Sequence, residues 1–97
     1  MTWLVQIFLP LTAGSGDASR AVKDELVAKF GGVTAYNRAL AEGLWQNGAA
    51  TEEDDIVIVE VMADDLDRGW WRDFRARLER RLHQDELVVR AHGIERL

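Results

Sequence analysis

The sequence predicts an α+β domain whose elements run strand, helix, strand, strand, helix, strand. Three observations predict it. The run from Asp55 to Asp65 is almost wholly apolar and rich in β-branched residues, and an amphipathic pattern follows at once, as for a buried central strand feeding a helix. Residues 2–10 form a second run dense in Trp, Val, Ile and Phe, again followed by an amphipathic stretch. The 97 residues suffice for one hydrophobic core and not for two, so the expectation is a single domain, 1–97.

Taken in order, the first strand ends at Pro10, because proline has no N–H to give to a ladder. Thr12 to Gly16 is a polar, glycine-bearing loop. Asp17 is placed as the N-cap of a helix that runs to about Phe30, with Ala18, Val22, Leu26 and Phe30 as its buried stripe. Gly31-Gly32 stops that helix, since glycine enters the left-handed region without a Cβ clash. Val33 to Tyr36 reads as extended or irregular, Leu44-Trp45 as part of the second strand, and Asn47-Gly48 as a tight hairpin turn. The acidic cluster Glu52 to Asp55 reads as a solvated loop that blunts the sheet's end. A second helix should start near Asp64 or Asp65, with Asp67 adding favourable charge to its first turn. Leu66, Trp70, Trp71, Phe74, Leu78 and Leu82 share one side of it, which makes the tryptophan pair part of the core. The last strand begins over Leu87 to Arg90 and runs toward Leu97 past a kink at Gly93.

In about this length, that order is the ferredoxin-like βαββαβ arrangement: an antiparallel sheet of order 4-1-3-2 with both helices on one face and the other face open. Alternation then sorts the strand residues. Val5, Ile7 and Leu9, with Val57, Val59 and Val61, form wholly apolar sets that belong under the helices. The open face receives Leu4, Phe8, Ile56, Ile58, Met62 and Val88, too many large apolar groups to leave in water. A second copy packing sheet to sheet would bury them and give a two-fold homodimer, a dimeric α+β barrel-like assembly. The polar members of that face are Gln6, Glu60, Arg90 and His92, with Gln6 on the strand between the acid and the bases.

Three readings of that constellation stay open. Glu60 and Arg90 can be an ion pair that fixes dimer register. The group can line a small-molecule cleft, with Trp45 and Tyr36 as aromatic walls. It can also be catalytic, with Glu60 orienting His92 as a general base.

Composition narrows the partners. Twelve basic against 17 acidic residues leave a net charge of −5, which argues against a nucleic-acid phosphate backbone as partner. The arginine-dense stretch Arg68 to Arg81 is accompanied by Asp67, Asp73 and Glu79 and reads as a solvated helix face. The absence of cysteine excludes disulfides, iron–sulfur clusters, thiolate zinc sites and cysteine nucleophiles. His83 and His92 fall on different elements without a ligand spacing, so neither a metal nor another cofactor is expected. Gly14-Ser15-Gly16 lacks the third glycine of a phosphate-binding loop and puts Asp17 where a phosphate would sit; it reads as a flexible connection. No apolar run approaches the ~20 residues of a membrane-spanning helix. The apolar N-terminus has no basic region before it, so a strand explains it better than a signal sequence, and a cytoplasmic location is the expectation.

The phrase Phe30-Gly31-Gly32-Val33-Thr34-Ala35-Tyr36, with Gly43-Leu44-Trp45 and then Glu60-Val61-Met62, resembles a family of small uncharacterised bacterial proteins. The whole chain is similar in topology to the dimeric α+β barrel superfamily. That superfamily includes cofactor-independent monooxygenases, muconolactone-isomerase-like enzymes and stress-responsive proteins. The first resemblance implies no function, and the second, being one of topology alone, transfers no catalytic residue. The resulting expectation is a homodimer whose open face holds the subunits together and forms a small-molecule cleft. The alternative is a cofactor-independent monooxygenase- or isomerase-like enzyme.

Overall fold

Two apolar strands form the centre of this fold, because they carry most of what must leave water. β1 (Thr2–Pro10) and β3 (Glu52–Ala63) pair antiparallel over eight residues, from Trp3↔Ala63 to Pro10↔Ile56. The computed structural model describes residues 1–10, 16–43 and 52–97, apart from the side chains of 37–43 and 52–55. β2 (Thr34–Gly43) lies outside β3, and β4 (Val89–Ile94) lies outside β1. The resulting order β2-β3-β1-β4 is the predicted 4-1-3-2 read from the other edge.

The alternation holds along the central strands. Val5, Ile7, Leu9, Val57, Val59 and Val61 are all buried on one face. Against it pack α1 (Gly16–Phe30) through Val22 and Leu26, and α2 (Arg68–Arg81) through Trp71, Phe74 and Leu78. Each of these fully buried side chains contributes about 1.5–3 kcal/mol on leaving water. Phe30 stacks on Trp71 at 5.3 Å between centroids and meets Trp70 edge-on at 5.5 Å, so the end of α1 is seated on α2 by aromatic contact. Trp71 therefore belongs to the core, as the helical spacing predicts, and Trp70 packs half-buried against it. An Arg77–Glu25 ion pair at 2.9 Å ties the two helices at the surface.

The boundaries differ from the sequence reading at five elements. α1 already includes Gly16, so Asp17 lies in its first turn, where its charge favours the helix N-terminus, and is not its N-cap. β4 begins at Val89, two residues after Leu87. α2 begins at Arg68, with Asp67 as its N-cap: the carboxylate accepts the Trp70 N–H at 3.0 Å, a bond that a residue inside the first turn would not make. β3 begins at Glu52, so the backbone of the acidic cluster is strand and not loop. Pairing with Leu40 to Gly43 supplies ladder hydrogen bonds that outweigh the poor strand preference of four acids in a row. β2 begins at Thr34, well before Leu44, and carries a register irregularity between Tyr36 and Ala39. Leu44-Trp45 and the Asn47-Gly48 turn lie outside the described residues.

Gly31 behaves as expected at the end of α1. Its φ is +87°, and its N–H donates to the Val27 carbonyl at 2.8 Å. α2 stops in the same way without a glycine. His83 takes φ +53° while Gln84 N–H donates to the Glu79 carbonyl at 2.9 Å, the long bond of a Schellman ending. The Glu79 carboxylate then accepts the Leu87 N–H at 2.9 Å, which fixes the path of the chain into β4.

Candidate functional site

The open face of the sheet is crossed by one line of polar residues. Register puts Glu60 of β3 opposite Gln6 of β1, and Gln6 opposite Arg90 of β4. The side chains follow the backbone. Gln6 Nε2 donates to Glu60 Oε2 at 2.7 Å, and Arg90 Nε donates to Gln6 Oε1 at 2.8 Å. The amide thus separates the two charges and satisfies one of each, using its donor toward the anion and its acceptor toward the cation. The direct Glu60–Arg90 pair among the sequence expectations is replaced by this bridge, because β1 lies between their strands.

Tyr36 extends the line onto the fourth strand. Thr34 pairs with Glu60 and Tyr36 with Ile58, so Tyr36 sits diagonal to Glu60 on the same face. A side-chain hydrogen bond to Glu60 raises the Tyr36 phenol above its ordinary 10.0, with the carboxylate's charge acting second and burial third. The order across the sheet is therefore Tyr36, Glu60, Gln6, Arg90.

Apolar groups flank this line. Leu4, Phe8, Ile56 and Ile58 are half-buried, while Met62 is 50% and Val88 49% exposed. The Arg90 guanidinium lies 4.7 Å from the Phe8 ring centroid, a cation–π contact that holds it flat on the sheet.

His92 stands one step further along, opposite Leu4 and exposed. Among the described residues no hydrogen bond joins it to Glu60, so the structure joins Glu60, Gln6 and Arg90 in one network, sets Tyr36 diagonal to Glu60 on the same face, and leaves His92 beside them. Trp45 lies outside the described residues. The chain also contributes groups that periodicity did not single out. A cavity of about 500 Å³ opens beside Glu60, bounded by Leu4, Met62, Thr34, the Gly31-Gly32 turn and Arg96. Arg96 lies beyond the end of β4, where strand alternation gives no information. Thr34 lies in the segment whose strand start the sequence left undefined. Among the described residues, no group of three His, Cys, Asp or Glu is gathered as a metal site would need.

No family model and no curated protein matches the chain. Solved structures do. The chain is similar to a divalent cation tolerance protein (Cut A1) from Thermus thermophilus, with a TM-score of 0.70 and 16% identity, covering 99% of this chain and 86% of that one. It is also similar to CutA from the phytopathogenic bacterium Xylella fastidiosa, with a TM-score of 0.61 and 15% identity, covering 96% of this chain and 83% of that one. At such identities the likeness is one of fold, and it agrees with the ferredoxin-like topology read from the sequence.

Proposed function

We propose that the protein is a self-associating small-molecule binder: two copies meet through their open sheet faces, and the polar line with its adjoining cavity receives the ligand. The observation that carries this reading is the line itself. Four polar side chains, one from each strand, are aligned across a face otherwise made of Leu, Phe, Ile, Met and Val. An apolar face of that kind is stabilised when a second copy covers it, and a satisfied polar network then fixes the register of the two sheets. Glu60 and Arg96 on the cavity wall suit a ligand with a donor group at one end and an anionic group at the other.

Binding is favoured over cofactor-independent catalysis by the state of Glu60. Its carboxylate already accepts from Gln6 and is engaged by Tyr36, and the one histidine near it stands outside the network. The cation tolerance in the first neighbour's name is the weaker guide here, since the described residues gather no ligand set for a divalent ion.

Native mass spectrometry on the untagged chain tests the reading. The expected result is a dimer that carries, or takes up from a metabolite extract, a small additional mass that Glu60→Gln no longer retains. A chain that stays monomeric at all accessible concentrations would overturn it.

A further inference from the structure

On the helix side of the sheet the charge of this acidic protein reverses. The residues of α2 include six arginines against Asp73 and Glu79, so the helix carries 6 − 2 = +4 within a chain of net −5. Arg77 is paired with Glu25 of α1. Arg68, Arg72 and Arg75, at spacings of four and three, project from one side of the helix and line a cleft of about 200 Å³ between α2 and β4. Among the described residues neither Arg68 nor Arg72 has a carboxylate within salt-bridge reach, and Arg75 meets only Glu79, at 4.0 Å. No carboxylate is among the described residues that line the cleft.

The opposite wall adds donors. β4 is an edge strand, bonded to β1 alone. Phe8 N–H donates to the Val88 carbonyl at 3.1 Å, which identifies that pair as one that exchanges hydrogen bonds. Bonding alternates along an antiparallel ladder, so Arg90 bonds to β1 while the amides of Val89 and Ala91 turn outward, at the sheet edge that borders the cleft. The floor, between guanidinia and amides, is apolar: Val5, Leu66 and Trp71. Convergent guanidinia and N–H groups over an apolar floor suit an oxyanion that carries an apolar body. The volume is below the ~300 Å³ at which drug-sized ligand pockets begin, which sets the ligand at metabolite size.

We propose that the cleft between α2 and the outer edge of β4 binds a small organic anion, its carboxylate or phosphate held by Arg68, Arg72 and Arg75 and its apolar body seated on Leu66 and Val89. Arg90, the end of the polar line, also borders this cleft, but the proposal rests on the α2 arginines and not on the open-face reading.

Titration of the isotope-labelled protein with benzoate, phenyl phosphate and inorganic phosphate, followed through backbone amide shifts, tests it. Saturable shifts of the Val89 and Ala91 amides are expected with at least one aromatic anion, and benzoate against phenyl phosphate distinguishes the two headgroups. Inorganic phosphate should bind more weakly for lack of an apolar body. Arg72→Gln and Arg68→Gln should each weaken binding about tenfold, the loss of one charge-assisted contact, and added salt should weaken it further. Glu60→Gln should leave it unchanged. Three results would overturn the proposal: equal binding of all three anions, binding insensitive to both arginine substitutions, or shifts confined to the open face. Binding of an acidic peptide in the cleft where neither aromatic anion binds would also overturn it, in favour of strand addition at β4.

Discussion

Tyr36 is the one tyrosine in the chain, so its ionisation can be followed without interference. Its hydrogen bond to Glu60, and the negative charge there, favour the protonated phenol and raise its pKa above 10.0. A group whose pKa rises on folding contributes stability that is fully present below the unfolded value and is lost as pH climbs through the folded one. The phenolate absorbance should therefore show a midpoint above 10.0 in the native protein, and stability should fall with pH across that same alkaline window. In Glu60→Gln the midpoint should move back toward 10.0, because the like charge is gone while the fold is kept. A midpoint unmoved by that substitution would detach Tyr36 from the network.

Gln6 is the residue on which the network turns, and its role was only half legible. Alternation put Gln6, Glu60 and Arg90 on one face, since the two-residue period of a strand is set by backbone geometry. That Gln6 would use both ends of its amide depended on cross-strand register, which no local pattern encodes. Gln6→Leu keeps the approximate volume and removes both bonds. It should cost roughly 1–2 kcal/mol in urea unfolding, toward the lower end for bonds to charged groups because Arg90 is exposed. A neutral substitution would show that solvent satisfies Glu60 and Arg90 equally well.

Elements with a strong apolar period were legible, and those held by backbone pairing were not. β1, β3 and both helices declare themselves through buried stripes that a core must absorb. β2, with the sequence TAYNRALAEG, has little strand preference; it exists because β3 offers it a ladder. The same ladder draws Glu52 to Asp55 into strand. Caps follow the same division. Asp64, Asp65 and Asp67 are all suitable N-cap residues, and only the bond from the Trp70 N–H singles out Asp67, while His83 in the left-handed region is not a recognisable stop, because glycine usually occupies that position. His83 has no role in the polar line, so His83→Gly should relieve backbone strain and stabilise the protein by about 0.5–1 kcal/mol, the gain being partly offset by glycine's greater unfolded-state entropy. Asp67→Ala should destabilise it by about 1 kcal/mol through the lost Trp70 N–H bond. Thermal unfolding of the two variants should shift in opposite directions.

At the scale of the whole molecule, the two sides of the sheet meet different fates. One is closed by two helices and a shared aromatic cluster; the other keeps Met62 and Val88 half-exposed among Leu, Phe and Ile. If another copy covers that second side, as proposed, association and stability become one equilibrium, since a dimer that binds only folded chains shifts folding by mass action. The midpoint of thermal unfolding should therefore rise with protein concentration. Val88→Arg provides the matching control. Its side chain is 49% exposed, so the isolated fold should change little, within about 0.5 kcal/mol as for surface substitutions in general. In the associated state the new guanidinium would be buried near Arg90 without a partner, and removing a charge from water in that way costs several kcal/mol. The variant should sediment as a monomer and lose the concentration dependence while keeping the parent's dilute-limit midpoint. A parent whose midpoint is already independent of concentration would place the apolar face in water and remove the basis for sheet-to-sheet association.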